Sequence, residues 1–368
     1  MNARGVFQPG IAVICFIVGE IIGRHPKLHR LDGRDSGLLD ISAMERAMPP
    51  EGFSSRTAGA WWDYASYAVI GCLGVVLFWL SKDHPTAMPV WAPWDFSIPE
   101  YLATALVLFW FFRGLSLGAT LPVWRRIAFL TGIGLIYAVL QTHFEYWSQH
   151  MFFLNRIQHV VMHHLGPFLI ALSGAGGPIV RGMPQPLRRL ISARPAAVAV
   201  RILQQPLLAA LIFSGTFALW LIPPVHFRAM LDPRLYALMN WTMVLDGILF
   251  WSLVLDPRPK PPARVSYGTR IALSVGVMFP QIVMGAIISL SSHDLYPYYS
   301  LCGRIFPSMG ALNDQQIGGL IIWIPPAMMS VAGLLLVLNA LRLHEDSTMQ
   351  PDRNAAALAA LSSRWTGR

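Results

Sequence analysis

The chain has 368 residues, 54% of them hydrophobic and 13% charged, with a mean hydropathy of +0.49. That balance excludes an ordinary water-soluble domain and fits an all-α, polytopic integral membrane protein. The formal charge of +9 does not indicate nucleic acid, because Lys and Arg fall in segments between apolar runs, as the positive-inside bias requires.

In chain order, apolar runs bounded by Pro, Gly and charged clusters predict nine helices, at about 6–23, 65–80, 100–118, 127–146, 152–172, 206–222, 236–255, 269–290 and 315–341. The first carries Glu20, is preceded only by Arg4 and is followed by no A-x-A site, so it reads as a retained anchor rather than a cleaved signal. Three parts follow: residues 1–64 as an N-terminal helix with a long loop, 65–342 as the helical bundle, and 343–368 as a tail. Cys15, Cys72 and Cys302 form no CxxC pair, so cysteine chemistry does not define the function.

Basic residues alternate in density from loop to loop. Arg24, Lys27, Arg30 and Arg34, then Arg125 and Arg126, then the arginines from 181 to 201, then Arg258, Lys260 and Arg264, and finally the tail form one set. That set is expected to be cytoplasmic, with the N-terminus outside and the C-terminus inside a bacterial inner membrane. The segments 24–64 and 173–205 read as solvated connections on that side. The opposite loops carry Trp91, Trp94, Trp147 and the run YPYY at 296–299, which suits an outer interfacial belt.

The fifth helix contains IQHVVMHHLGPFLIALSG, residues 157–174. His159 and His163, at i and i+4, share a face and suit one metal ion, with His164 rotated away by roughly 100°. An isolated intramembrane histidine is equally well a hydrogen-bonding group between helices. Here, however, His143, His150, His226 and His293 join the three, so seven of the eleven histidines fall in the outer half or at mid-membrane. On the seventh helix, Met239, Met243 and Asp246 line one face. Asp246 is expected to point inward and to pair with His163, His164 or Arg156, and thioethers beside imidazoles suit Cu(I). The ninth helix opens with LNDQQIGGLIIWIPP: Asn313 or Asp314 as its cap, Gly318 and Gly319 for close approach, and Pro325 and Pro326 as an interruption.

These three segments resemble the CtaG-type cytochrome c oxidase assembly factors. QHVVMHHLGPFLIALSG is similar to that family's QH-x-apolar-x-x-(A/G)-P-x-L-x-x-LG signature, LWLIPPVHF to its Trp and His segment, and DQQIGGLIIWIPP to its DQ-x-x-GG-x-x-x-W-x-P element. The resemblance covers roughly residues 100–342 and implies a seven-helix core, here with an N-terminal helix and an additional span. It implies a role in assembling a haem-copper oxidase by helping copper reach the oxidase on the outer face. The partners it implies are oxidase subunits, membrane lipid and a soluble copper chaperone. The family's motif histidine falls on His159, its loop histidine on His226, and its acid and amide pair on Asp314 and Gln315. The chain departs at Asn240, where the resemblance implies a histidine that Met239 or Met243 would replace, and at Gly166, where Ala is commoner.

The candidate metal set is therefore His159, His163, His143, His150, His226 and Met243, with copper as the transient cargo. Asp246, Asn240, His164, Asp314 and Gln315 are the further functional candidates. Catalysis is not expected, since no Ser-His-Asp arrangement, HExxH or phosphate-cradling glycine motif is present. Two other classes remain open: a b-type haem electron carrier, which needs a second deep histidine on a facing helix, and a copper transporter, which needs polar residues continuing inward below Asp246.

Overall fold

Proline marks where helices begin in this chain. Its missing N–H is no loss in the first turn, and its fixed φ suits helix entry. In the computed structural model, which describes the backbone of residues 53–366 and the side chains of 63–349, helices α2 (Ile98–Ser116), α10 (Pro206–Leu221), α11 (Pro223–Leu231) and α12 (Pro233–Val254) all carry Pro at N1 or N2. The remaining elements are α1 (Phe53–Asp83), α3 (Val123–Leu140), α4 (His143–His150), α5 (Phe152–Val160), a π segment (Val161–Leu165), α6 (Gly166–Ser173), α7 (Gly176–Gly182), α8 (Gln185–Ile191), α9 (Arg194–Leu203), α13 (Tyr267–Gly276), α14 (Met278–Leu290), α15 (Tyr298–Leu301) and α16 (Ala311–Thr366). No strand occurs among the described residues.

Six of these helical stretches are long and apolar enough to cross a membrane, and up to eight if each of two bent pairs counts as one span. Eight of the nine expected positions coincide with them, while the helix at 6–23 and the loop from 24 to 52 lie outside the described residues. Burial differs sharply between spans. The window in α12 is 78% buried and that in α1 0%, which makes α12 the hub and α1 a peripheral helix whose Val69, Val75 and Trp79 face outward. Outward apolar side chains are the normal surface of a helix in lipid.

Four expectations are corrected. The 173–205 segment is helical rather than an open loop, running through α7, α8 and α9: α7 bends 76° from the preceding helix and packs against α2 with Ile179 and Met183 buried, while Arg181, Arg189, Arg194 and Arg201 are exposed. Glycine permits the packing, because a Cβ at Gly182 would lie 1.9 Å from the Trp110 carbonyl and one at Gly114 1.8 Å from that of Pro178. Arg113 then joins three elements, donating to Asp63 of α1 and to the Gly182 carbonyl. The fourth helix ends at Leu140, so His143 begins a separate helix, α4, capped by Thr142. Pro325 and Pro326 do not interrupt α16, which also runs on through 343–366 without a break. Finally, Asp314 does not cap its own helix but a neighbour, as described next.

Candidate functional site

The start of α5 has no capping side chain of its own, since its N-cap is Met151. Asp314, fully buried in the first turns of α16, supplies the missing acceptors: Phe152 N–H donates to its Oδ2 at 3.0 Å and Phe153 N–H to its Oδ1 at 2.8 Å. A carboxylate at a helix N-terminus also offsets the positive end of the macrodipole. Arg304 pairs with the same carboxylate. Gln315 holds the adjacent loop, donating to the carbonyls of Ile288 and His293 and accepting from Leu295 N–H at 2.7 Å. Gly318 lies against the Phe152 ring, and Gly319 against Ser289 and Gly285 of α14. The DQ-x-x-GG element therefore fixes α5 on α16, and with it the histidine segment.

That segment is not a regular α-helix. Residues Val161–Leu165 form a π turn, a feature that often marks functional sites. The extra residue changes which side chains share a face: His163 and His164, adjacent in sequence, are both fully buried, with ring centroids 4.7 Å apart at 88°. His163 Nε2 lies 2.9 Å from Asp246 Oδ1, and its ring stacks on Phe213 at 4.1 Å and Phe217 at 5.6 Å. Gly247 makes that approach possible, because a Cβ there would sit 2.3 Å from the His163 carbonyl. His164 Nε2 is 3.3 Å from the Gln281 amide.

One turn toward Asp314, His159 is 1% exposed and neither ring nitrogen has a hydrogen-bond partner. Arg156, His226 and His163 are the charged or ionisable groups acting on it. His226 is not a loop residue but a buried member of α11, its Nε2 2.9 Å from Tyr299 Oη and its Nδ1 unpartnered. Burial, and then the guanidinium of Arg156, hold the His226 imidazole well below the usual histidine range, so it is neutral. Gln158, the other half of the QH pair, joins Ser148, Tyr236 and the Val139 carbonyl.

The other candidates are placed elsewhere. His143 lies against Trp94, ring centroids 3.9 Å apart at 49°, and His150 Nδ1 contacts the Tyr146 carbonyl at 2.8 Å, both histidines on α4. Met239, Met243 and Asn240 are buried on α12, and Asn240 Oδ1 is unpartnered. Among the described residues no three His, Cys, Asp or Glu side chains form a group that could hold a metal. Sequence reading named Arg156 only as a partner for Asp246, whereas it belongs with His159 and Tyr299; it missed Tyr299, Gln281 and the stacking phenylalanines. The YPYY run was the one available signal, and it pointed to an interfacial belt instead.

Residues 105–342 match the family model of the cytochrome c oxidase caa3 assembly factor, Caa3_CtaG. The chain belongs to this family. An uncharacterised protein of Mycobacterium leprae is 26% identical over 249 residues, which are 60% of this chain and 35% of that protein. The chain thus spans about a third of the length of that relative. No solved structure matches it. The Caa3_CtaG match contains the QH segment, His226, Asp246 and the DQ-x-x-GG element, so the buried cluster lies wholly inside the family region.

Proposed function

We propose that this Caa3_CtaG protein assists maturation of a caa3-type oxidase by holding copper transiently at the two imidazoles of His159 and His163 and releasing it on the outer face. One observation carries the reading. Four imidazoles that are at most 1% exposed keep ring nitrogens without hydrogen-bond partners among the described residues: both of His159, both of His163, and Nδ1 of His164 and of His226. Buried polar atoms are normally satisfied, so a cluster of open lone pairs is a reserve of ligands. Asp246 Oδ1, 2.9 Å from His163 Nε2 but outside hydrogen-bond geometry, is near enough for its carboxylate to orient that imidazole and leave the other nitrogen for metal. Neutral imidazoles, with Met243 on the adjoining helix, suit Cu(I). The low number of donors favours release over storage, and the role is that of an assembly factor without turnover. His143 and His150 enter this reading as groups on the path to the surface, not as first ligands.

A haem carrier is less well supported, because the Nε2 edge of His163, where an axially bound iron would sit, faces Asp246 Oδ1 at 2.9 Å. The deciding experiment measures copper per molecule and the visible spectrum of the purified protein, then repeats both on the His159→Ala, His163→Ala double variant. Copper lost in the variant, with no haem band in either protein, supports the proposal; copper unchanged overturns the ligand set. For the outer-face placement, Ser292→Cys should react with an impermeant thiol reagent in intact cells and Ala193→Cys should not; the reverse pattern inverts the topology.

A further inference from the structure

Arg156 sits inside the bundle with no counter-charge among the described residues. Its side chain is fully buried, its Nη2 donates to Asn155 Oδ1, and Tyr299 is its other hydrogen-bonding neighbour. Its Nε and Nη1 have no partner. The guanidinium lies over the Phe152 ring, 4.8 Å from the centroid. The ionisable groups that act on it are the phenols of Tyr299, Tyr296 and Tyr236, none of which is an anion: burial raises Tyr296 to about 12 and Tyr299 well above the ordinary tyrosine range. The carboxylate of Asp314 is already engaged by Arg304 and the Phe152 and Phe153 amides.

We infer that Arg156, through its open Nε and Nη1 and together with neighbouring His159 and Tyr299, binds a small monoanion, such as chloride or a compact carboxylate. A buried guanidinium stays charged, because its pKa is too high for neutralisation to relieve it, and an uncompensated buried charge is strongly unfavourable. Water would satisfy donors at this point but bring no charge. The surrounding groups offer hydrogens: the open Nε and Nη1 edges of Arg156 and one N–H on the unpartnered ring of His159, with the Tyr299 hydroxyl, bonded to His226, beside them. Charge-assisted hydrogen bonds from such donors are the strong kind. The inference stands without copper. Where copper also binds, the anion offsets the like charge of Arg156 beside the metal.

The test uses the full-length protein purified in detergent, free of copper, in a gluconate buffer at constant ionic strength. Labelled chloride and labelled formate are titrated separately by equilibrium dialysis, and the thermal unfolding midpoint is followed in parallel. Saturable binding of one of them, near one per chain and raising the midpoint, is the expected result. Arg156→Gln should weaken it by about tenfold or more and Tyr299→Phe by about threefold, as expected for lost bonds to a charged partner. Should Arg156→Gln not fold, the Tyr299→Phe shift and the parent stoichiometry decide. No saturable binding of either anion by the parent, or equal affinity in Arg156→Gln, overturns the inference. Copper bound normally by a parent that takes up no anion overturns this site alone, and anion uptake by a parent that binds no copper overturns only the copper reading.

Discussion

Two buried polar segments sit side by side in this molecule, one on α5 through α6 and the other at the start of α16. At Asp314 and Gln315 the polar atoms reach partners: two amides and Arg304 for the acid, three backbone groups for the amide. At Arg156, His159, His163 and His226 many do not. Both segments carry the motifs by which the chain resembles its family. The difference separates a motif that builds the frame from one whose donors and lone pairs stay open, and a guest is proposed for those open atoms because unsatisfied buried groups are unfavourable.

Substitution should therefore act with opposite sign in the two places. The largest effect is expected from Asp314→Ala, which uncaps α5 and leaves Arg304 without its partner. A loss of about 3–5 kcal/mol is expected from breaking a buried pair, seen as a lower unfolding midpoint and less protein in the membrane. A variant as stable as the parent would remove the frame from the comparison.

Next comes Asp246→Asn. An isosteric amide should insert and accumulate normally, yet weaken copper binding by about 10- to 100-fold, the usual consequence of losing the group that orients a ligating histidine. Unchanged copper affinity would show that His163 needs no orienting carboxylate.

His159→Leu should do the reverse of Asp314→Ala. In copper-free protein kept in a bulky-anion buffer, exchanging unsatisfied ring nitrogens for a similar apolar volume should stabilise by about 1–3 kcal/mol, while copper per molecule falls. If the midpoint drops instead, the ring nitrogens have partners and the open-site reading fails.

The smallest effect concerns Glu145 on α4, outside the spans. Burial, then the nearby Glu100 and Asp95, raise its carboxyl well above the ordinary range. A raised carboxyl binds its proton more tightly in the folded state, so stability is full below the usual glutamate pKa of about 4.5 and declines as pH rises toward the folded value. Glu145→Gln should flatten that decline. Its midpoint should match the parent in acid and exceed it near neutrality, whereas parallel curves would show that Glu145 does not titrate in this window.

Much of the frame was legible in the chain. Eight of the expected helices coincide with described ones because a span is a local property: about twenty apolar residues bounded by Pro, Gly or charge need no knowledge of their neighbours. The small residues at Gly318 and Gly319 likewise announced a close contact, and Gly285 and Phe152 provide it. The inward pairing of Asp246 followed from what lipid forbids, and His163 is what it meets. In the 173–205 segment the arginines are exposed as read, but the close packing of its first part was not legible, because it depends on Gly114 and Gly182 letting the backbones of α2 and α7 touch.

The sequence by itself determined an apolar helical chain, its membership in an oxidase-assembly family, and the residue types that would gather inside it, since hydropathy, spacing and motif are all written along one dimension. Only the tertiary structure decided which of them meet. The π turn at Val161–Leu165 redirected His163 and His164, α4 carried His143 and His150 to a separate aromatic cluster with Trp94 and Tyr146, and Asp314 capped a helix some 160 residues before it in the chain. Helical periodicity is blind to an inserted residue, and a carboxylate caps whichever open amides lie within about 3 Å of it, whatever their place in the sequence.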